Sequence, residues 1–362
     1  MAHSPESLLP TAEPISLIDQ DGAAVENSDY SMPDDSTLLA GYGALVVGRR
    51  INDQAYALVR QGRLAVYPSS HGQEACQVAA ALALGANDWL FPTYRDTVAV
   101  ITRGVDPIGV MESFRGDWHC GYDPKQYKVA TQSTPLATQL LHAVGVAHAA
   151  TLRGEDTVAV ALCGDGATSE GDFHEALNFA AVFKAPVVFL IQNNEYAISV
   201  PLAKQSAAPS LAHKGVGYGI PSHRVDGNDI AAMLAVVGEA IAQARAGGGP
   251  QLIEAHTYRM QAHTNADDAT RYRTADEVAQ WQERDPLSRA KTYLTDQGIL
   301  DERSAAGFTA QADQIAAELR TALGAESSPD PDQLFKYVYE KPTSALIEQQ
   351  AMLSDEIERE SV

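Results

Sequence analysis

Cysteine is scarce in this chain of 362 residues, which has only Cys76, Cys120 and Cys163. The three are far apart and none belongs to a C-x-x-C pair, so they indicate neither a disulfide framework nor a zinc site. Cys163 lies within an apolar stretch, where a free cysteine behaves as a small buried hydrophobic residue.

Positive charge is also scarce. Lysine and arginine number 26 against 47 aspartate and glutamate residues, which gives a formal net charge of −21 at pH 7. A chain of that sign repels polyanions, so we expect neither nucleic acid nor an anionic membrane among its partners.

Targeting segments and long apolar runs are the third absence. No apolar run approaches the roughly 20 residues of a transmembrane helix. Residues 1–35 are acidic and rich in Ser, Pro and Asp. They lack both the basic start of a signal peptide and the arginine-rich character of a transit peptide. We expect a mobile acidic tail at residues 1–35 and a cytoplasmic protein.

What the sequence does contain is an alternation of apolar strands and amphipathic helices. Helical patterns cover residues 37–61, 72–84, 135–150 and 229–246, and apolar strand-like runs cover 157–163, 187–191, 224–226 and 251–258. Such alternation predicts an α/β fold with a doubly wound parallel sheet. We assign residues 36–275 to this domain. We assign 276–362 to a C-terminal helical region, with two or three helices around Pro286, a linker at 326–332 and a last acidic helix at 344–358.

The stretch from Thr157 to Val200 organises the rest of the chain. It reads as strand, helix and strand, so the two strands are expected to be parallel. Asp165 follows the first strand and Asn194 the second, which places both at the carboxyl edge of the sheet. Because neighbouring strands lie about 4.8 Å apart, both side chains would reach one ion. A carboxylate and an amide suit Mg²⁺, which commonly keeps a substrate phosphate as a further ligand.

Two other interpretations of this stretch remain open at this point. Asp165 and Asn194 are also common turn residues, and either one alone would be read that way. A dinucleotide site would need glycine at the first, third and sixth positions of the turn. Gly164 and Gly166 fit that pattern, but the sixth position is Ser169.

Two further segments carry candidate residues. Tyr94 and Arg95 follow an apolar segment, and an arginine beside a phosphate site provides a bidentate, charge-assisted contact. Residues 258–273 are rich in hydrogen-bonding side chains and follow a strand at its carboxyl end, where α/β proteins bind ligands. His263 is the acid–base candidate in this segment. Residues 116–133 read as a loop over the site.

The motifs together resemble the α subunit of the thiamine diphosphate-dependent decarboxylating component of 2-oxo acid dehydrogenase complexes. The resemblance covers residues 36–345. The segments that carry it are FPTYRD, TPLATQ, GDGATSEGD, NNEYAIS, RVDGND and HTNADDATRYR. It implies a thiamine diphosphate-binding fold, with a C-terminal helical extension, and Mg²⁺ as the accompanying metal.

The resemblance also implies roles for individual residues. Asp165 and Asn194 would bind Mg²⁺ through their side chains and Tyr196 through its carbonyl oxygen. Tyr94, Arg95 and His263 would contact the diphosphate or face the thiazolium ring. The residues implied to line the cofactor, with Leu136 propping the thiazolium, are Thr134, Leu136, Gly164, Gly166, Ala167 and Glu170.

Gln192, Thr264 and one turn at residues 133–139 can also be compared with members of the family. Some members have arginine where this chain has Gln192, so the phosphate contact here would depend more on Arg95 and the metal. Thr264 matches a serine that is phosphorylated in animal members, and we do not predict that regulation here. A potassium-binding turn described in branched-chain members matches Ser133, Pro135, Thr138 and Gln139.

The implied reaction is oxidative decarboxylation of a 2-oxo acid, with transfer of the acyl group to the lipoyl domain of a dihydrolipoyl acyltransferase. The TPLATQ segment favours branched-chain substrates such as 3-methyl-2-oxobutanoate, with pyruvate as the alternative, since one methylene discriminates by only about 1–3 kcal/mol. No second α/β domain that would hold the aminopyrimidine ring is predicted, so we expect a β subunit and an α₂β₂ tetramer. A nicotinamide-dependent reductase and a non-catalytic interaction subunit are the other classes considered.

Overall fold

Five short apolar segments form one parallel sheet in the computed structural model, which describes residues 8–116, 120–325 and 330–360. In spatial order the strands are β1 (Trp89–Phe91), β2 (Ala159–Gly164), β3 (Val187–Asn193), β7 (Gln251–His256) and β6 (Ser222–Asp226). All four pairings are parallel. A separate antiparallel pair is formed by β4 (Tyr196–Ala197) and β5 (Val200–Pro201). The predicted parallel α/β architecture is confirmed.

Helices cover both faces of this sheet. Successive residues of a strand point to opposite faces. Val160 and Leu162 of β2 therefore join one core, and Ala161 and Cys163 join the other. The first core is shared with α1 (Asp35–Arg60), α2 (Glu74–Leu82), α3 (Thr97–Thr102) and α9 (Ile230–Gln243), and the second with α6 (Thr138–Arg153) and α7 (Gly171–Phe183).

The remaining helices lie at the periphery or in connections. Their bounds are α4 (Pro107–Arg115), α5 (Pro124–Tyr127), α8 (His213–Val216), α10 (Ala275–Gln282), α11 (Pro286–Asp296), α12 (Glu302–Gly324), α13 (Gln333–Lys336) and α14 (Ser344–Glu360). Three helices surround Pro286, as expected. The loop expected at 116–133 contains α5, and its residues 117–119 lie outside the described residues.

One predicted helix start is wrong by three residues. The helix expected from Pro135 begins at Thr138, and the residues before it form an irregular turn. The Gln139 side chain explains this turn in part, because its Nε2 donates to the carbonyl oxygen of Leu136 at 3.0 Å. The turn is what allows Leu136 to project beside the site described below.

The predicted mobile tail is also wrong over most of its length. Leu17 and Ile18 are buried in the main core. Their backbone N–H groups each donate to Oδ2 of Asp229 at 2.7 Å. The Ile15 N–H donates to the Arg224 carbonyl at 2.8 Å, beside β6. Burial of these few apolar side chains therefore holds the segment against the domain despite its acidic composition. Residues 1–7 lie outside the described residues.

The C-terminal helices divide into two groups. α11 and α12 pack along α1, so their apolar faces complete the main core. Residues 330–360 have no buried side chain, and α14 is exposed along its length. Of the predicted linker 326–332, residues 326–329 lie outside the described residues. The division at 275/276 stays a prediction.

One helix has the length and composition of a membrane span, although the sequence predicted none. Ile230–Gly248, which contains α9, is long and apolar enough to cross a membrane by length and composition alone. However, α9 packs against the sheet and α2, and nine of its residues are buried. This is the position of a core helix in a folded domain.

Candidate active site

A cavity of about 530 Å³ opens at the carboxyl ends of β2 and β3. Its volume is within the usual range of ligand sites, roughly 300–1,000 Å³. The sheet edge, the turn before α6 and the loop after β7 all contribute to its wall. The parallel topology explains this convergence, because the carboxyl ends of all five strands lie at one edge.

Thirteen of the predicted site residues line this one cavity. They are Tyr94, Arg95, Ser133, Thr134, Leu136, Gly164, Asp165, Gly166, Ala167, Gln192, Asn194, Tyr196 and His263. Glu170, Pro135, Thr138 and Gln139 do not line it. Glu170 occupies the position just before α7, in extended backbone conformation.

Three oxygen atoms face one another at the floor of the cavity. Oδ1 of Asn194 lies 3.3 Å from Oδ1 of Asp165 and 3.1 Å from the carbonyl oxygen of Tyr196. The Asn194 amide is held this way round because its Nδ2 donates to Oε1 of Gln73 at 2.9 Å and its oxygen accepts from the Tyr196 N–H at 3.3 Å. Turning the amide would lose these two bonds and let its NH₂ group donate to Oδ1 of Asp165 and to the Tyr196 carbonyl instead, so the cluster of three oxygens belongs to the orientation that a bound cation would favour.

Such a cluster has the spacing of a hard-cation site. Mg²⁺ binds oxygen at about 2.0–2.1 Å in octahedral geometry, so adjacent ligand oxygens are roughly 2.9 Å apart. The observed separations exceed this by only a few tenths of an ångström. Among the described residues there is no group of three His, Cys, Asp or Glu side chains that could hold a metal. The fitting set consists instead of one carboxylate, one amide and one carbonyl.

The Asp165 carboxylate is under electrostatic strain without a cation. Its side chain is almost fully buried. Burial raises its pKa from 3.8 to about 6, although Gln205 Nε2 donates to Oδ2 at 3.0 Å and partly offsets this. A buried carboxylate with one hydrogen-bonded oxygen would be stabilised by a metal ion at the other.

Two buried arginines line the same cavity, and Nη1 of Arg259 donates to the Tyr196 carbonyl oxygen of the cluster at 3.1 Å. Arg95 and Arg259 are 5% and 1% exposed. Neither forms an ion pair with a carboxylate in the part of the chain that the structure describes. Buried cations without counterions are costly. A cavity that they line is therefore suited to an anion.

His263 lies between these two arginines. Its Nδ1 is 3.0 Å from Nη2 of Arg95 and 3.4 Å from Nη1 of Arg259. Since guanidinium groups only donate, Nδ1 must accept, and the imidazole proton belongs on Nε2. Burial, Arg95 and Arg259 together lower the pKa of His263 to about 4. At neutral pH His263 is uncharged and is a hydrogen-bond donor through Nε2.

Gln192 lines the cavity, but its amide is already engaged. Nε2 donates to Oδ1 of Asp96 at 2.6 Å, and Oε1 accepts from Gln73 and Gln77 at 3.2 Å each. A hydrogen bond from Gln192 to a diphosphate would require one of these bonds to be exchanged. The cationic groups at the cavity are therefore the arginines.

The turn predicted to bind potassium lies just before α6, and its potassium binding stays a prediction. Thr138 Oγ1 donates to Oδ2 of Asp172 at 2.9 Å, and Gln139 Nε2 donates to the Leu162 carbonyl at 2.8 Å. Oε1 of Gln139 is buried and has no hydrogen-bond partner. A buried acceptor without a partner is the feature that a cation would explain.

Sequence reasoning missed three residues of this site. Gln73 orients Asn194, Arg259 faces His263, and Asp96 binds Gln192. Arg259 lies three residues after β7, within the polar segment that contains His263, so its position offered a signal. Gln73 and Asp96 offered none, because each comes to the site through tertiary packing.

Comparisons with known proteins agree with this geometry. The family model described as dehydrogenase E1 component matches residues 42–331. The 3-methyl-2-oxobutanoate dehydrogenase subunit alpha of Mycobacterium tuberculosis is 48% identical over 349 residues, covering 96% of this chain and 95% of the relative. The pyruvate dehydrogenase E1 component subunit alpha of Staphylococcus aureus is 41% identical over 293 residues, covering 80% and 79%.

Proposed function

Because the chain belongs to the dehydrogenase E1 component family, we propose that it is the α subunit of a thiamine diphosphate-dependent 2-oxo acid dehydrogenase. Its reaction is oxidative decarboxylation of a 2-oxo acid with acyl transfer to a lipoyl domain. The observation that carries the proposal is one cavity lined both by a cluster of three oxygens and by two buried guanidinium groups that have no carboxylate partner among the described residues. A metal–diphosphate unit complements both.

The residues of the chain fit the two charges of such a unit. Asp165, Asn194 and the carbonyl of Tyr196 would hold Mg²⁺, and Arg95 would contact the diphosphate, with Arg259 close by. Tyr94 packs against His263 with ring centroids 6.3 Å apart, and Arg95 lies over the Tyr94 ring at 5.4 Å. These contacts hold the Tyr94 ring beside both Arg95 and His263, the two residues proposed to meet the diphosphate or the thiazolium.

Thiamine diphosphate supplies a carbon nucleophile and an electron sink for decarboxylation. The residues of this chain would hold the cofactor in place and donate protons to substrate oxygens near it. Neutral His263 presents Nε2–H as a donor toward a substrate oxygen. Leu136, 38% exposed in the turn before α6, gives the cavity an apolar wall. The wall favours an apolar acyl group and limits access of water.

The branched-chain substrate class is favoured over pyruvate. The M. tuberculosis relative, named for 3-methyl-2-oxobutanoate, matches nearly the full length of this chain, and the pyruvate relative matches less of it at lower identity. Leu136 and Phe114 add apolar surface to the cavity. Pyruvate remains the second candidate because a few methylenes separate the substrates.

The partners proposed are a β subunit, in an α₂β₂ tetramer, and the lipoyl domain of an acyltransferase. Thiamine enzymes also hold the aminopyrimidine ring through a glutamate on a second α/β unit. The described residues contain one five-stranded sheet and no second sheet of that kind. Leu136 and Ile198 are exposed at the cavity, where a second subunit would complete the site.

Potassium at the turn before α6 belongs to the same proposal. The buried, unpartnered Oε1 of Gln139 and the carbonyl of Leu136 are oxygens that a monovalent cation would bind. Such an ion would brace the turn that positions Leu136. Ser133 and Thr138 would complete the set.

The test is coexpression with the β subunit and measurement of kcat/KM with an artificial electron acceptor. We expect thiamine diphosphate-dependent turnover, with a higher kcat/KM for 3-methyl-2-oxobutanoate than for pyruvate. A higher value for pyruvate would assign the pyruvate alternative. Absence of cofactor binding by the complex would refute the proposed function. The alternatives would then be a nicotinamide-dependent reductase and a non-catalytic interaction subunit.

A further inference from the structure

We propose that Gln205 is a positioning residue that restricts Asp165 to one-oxygen coordination and thereby favours Mg²⁺ over Ca²⁺. The inference rests on the proposed function, since it concerns the metal that would accompany the diphosphate. Gln205 does not face the cavity and belongs to no motif identified in the sequence.

The orientation of the Gln205 side chain is fixed by its two partners. Its Nε2 donates to Oδ2 of Asp165 at 3.0 Å and to the carbonyl of Val200 at 3.2 Å. Both partners only accept, so the NH₂ group rather than the amide oxygen must face them. The backbone N–H of Gln205 also donates to the Leu202 carbonyl at 2.8 Å. Gln205 is thus held at both its backbone and its side chain.

This arrangement gives the two Asp165 oxygens different functions. Oδ2 is engaged by Gln205, and Oδ1 faces Asn194 Oδ1 in the oxygen cluster. Rotation of the carboxylate to present both oxygens to a cation would break the Gln205 bond. Asp165 therefore offers a single ligand atom.

One-oxygen coordination discriminates between the two common hard cations. Mg²⁺ requires six ligands in near-ideal octahedral geometry, whereas Ca²⁺ takes six to eight ligands at longer distances and accepts bidentate carboxylates. A carboxylate locked to one oxygen suits the first ion. Without the lock, a bidentate Asp165 would supply the extra ligand that Ca²⁺ uses.

The backbone of the Asp165 turn has a separate anchor. Nζ of Lys214 donates to the carbonyl and hydroxyl oxygens of Thr168 at 2.7 and 2.8 Å, and the Thr168 hydroxyl donates to the Asp165 carbonyl at 2.7 Å. Removing the Gln205 side chain would therefore free the carboxylate while the turn itself stays in place. This separation makes the proposal testable by a single substitution.

The experiment uses the full chain in complex with its β subunit, as wild type, Gln205→Leu and Lys204→Ala. Leucine is close in size to glutamine and cannot donate. Lys204 is the exposed neighbour in the same turn and is the matched control. Calorimetric titration of thiamine diphosphate at a series of Mg²⁺ or Ca²⁺ concentrations gives the half-saturating concentration of each metal. Circular dichroism checks that each variant is folded.

We expect Gln205→Leu to raise the half-saturating Mg²⁺ concentration roughly tenfold, since hydrogen bonds to charged groups are among the stronger ones. The Ca²⁺ concentration should rise less or fall, and Lys204→Ala should match wild type. An unchanged Mg²⁺ requirement, or equal changes for both metals, would overturn the proposal while wild-type cofactor binding leaves the proposed function intact. Failure of the wild type to bind the cofactor would instead refute the function itself.

Discussion

Asp165→Asn is expected to stabilise the cofactor-free protein while abolishing cofactor retention. The carboxylate is buried, and its pKa is raised by that burial from 3.8 to about 6. Asparagine keeps the shape and removes the charge. Its oxygen still accepts from Gln205, and its NH₂ group would face the oxygen of Asn194, 3.3 Å from the present Oδ1. The substitution thus satisfies the acceptors that a metal would otherwise satisfy.

The magnitude follows from linkage between protonation and folding. A group whose pKa is raised in the folded state contributes its stability below pH 3.8 and loses it as the pH rises through about 6. One pKa unit corresponds to about 1.4 kcal/mol, so ionised Asp165 costs the folded state about 3 kcal/mol at pH 7. The free energy of unfolding of Asp165→Asn should therefore be larger than that of wild type. The difference should grow between about pH 4 and pH 6 and stay constant at higher pH.

The assay is urea unfolding of the cofactor-free protein at several pH values between 4.5 and 8, with cofactor titration run beside it. A difference in the free energy of unfolding that does not depend on pH would refute the electrostatic reasoning. So would an asparagine variant less stable than wild type at pH 7.5. Unchanged cofactor affinity would show that Asp165 is a turn residue and not a metal ligand.

Three further predictions concern other parts of the chain. Arg259→Met should weaken thiamine diphosphate binding at least roughly tenfold, as expected for a lost charge-assisted contact, and should raise the pKa of His263 measured by NMR. An unchanged affinity would show that Arg259 does not contribute to diphosphate binding. His263→Ala should reduce acylation of an isolated lipoyl domain roughly 100-fold or more while weakening cofactor binding less than Asp165→Ala, and wild-type acylation would exclude the role. Ile18→Ala should lower the free energy of unfolding by about 2–5 kcal/mol, whereas the control Leu9→Ala, at a position 56% exposed, should change it by less than about 0.5 kcal/mol. Equal effects of the two substitutions would mean that the N-terminal segment does not contribute to the core.

The centre of the site could be predicted from the sequence because topology determines it. A strand–helix–strand unit with parallel strands brings the residues after both strands to one edge, whatever the loops do. The placement of Asp165 and Asn194 at one edge required nothing more, whereas their role at a thiamine diphosphate site came from the family resemblance and stays a prediction. His263 followed from the same rule applied to β7. Leu136 and Thr134 depended on the family resemblance, since they lie on an irregular segment whose path no periodicity specifies.

The failures have two physical causes. Residues 1–35 were judged by average composition, which hides the short run containing Ile15, Leu17 and Ile18. Three buried apolar side chains and two backbone bonds to Asp229 suffice to fix that segment. Gln73 was missed for a different reason, because its position beside Asn194 depends on the packing of α2 against the sheet. Contacts between residues distant in sequence leave no local pattern.

The cavity contains a cluster of oxygen atoms and two buried arginines, and one ligand with both a cation and an anion would pair with both. Asp165 and Asn194 present oxygen atoms that a cation would bind, whereas Arg95 and Arg259 are buried without a carboxylate partner among the described residues. The Tyr196 carbonyl lies between the two sets, since it faces Asn194 and accepts from Nη1 of Arg259 at 3.1 Å. A free metal ion would satisfy the oxygens and add positive charge to a site that already holds two arginines. A free diphosphate would satisfy the arginines and approach the Asp165 carboxylate. Only the two together would satisfy both sets of groups, which supports the proposed metal–diphosphate ligand, and each component would then strengthen the binding of the other by the same factor.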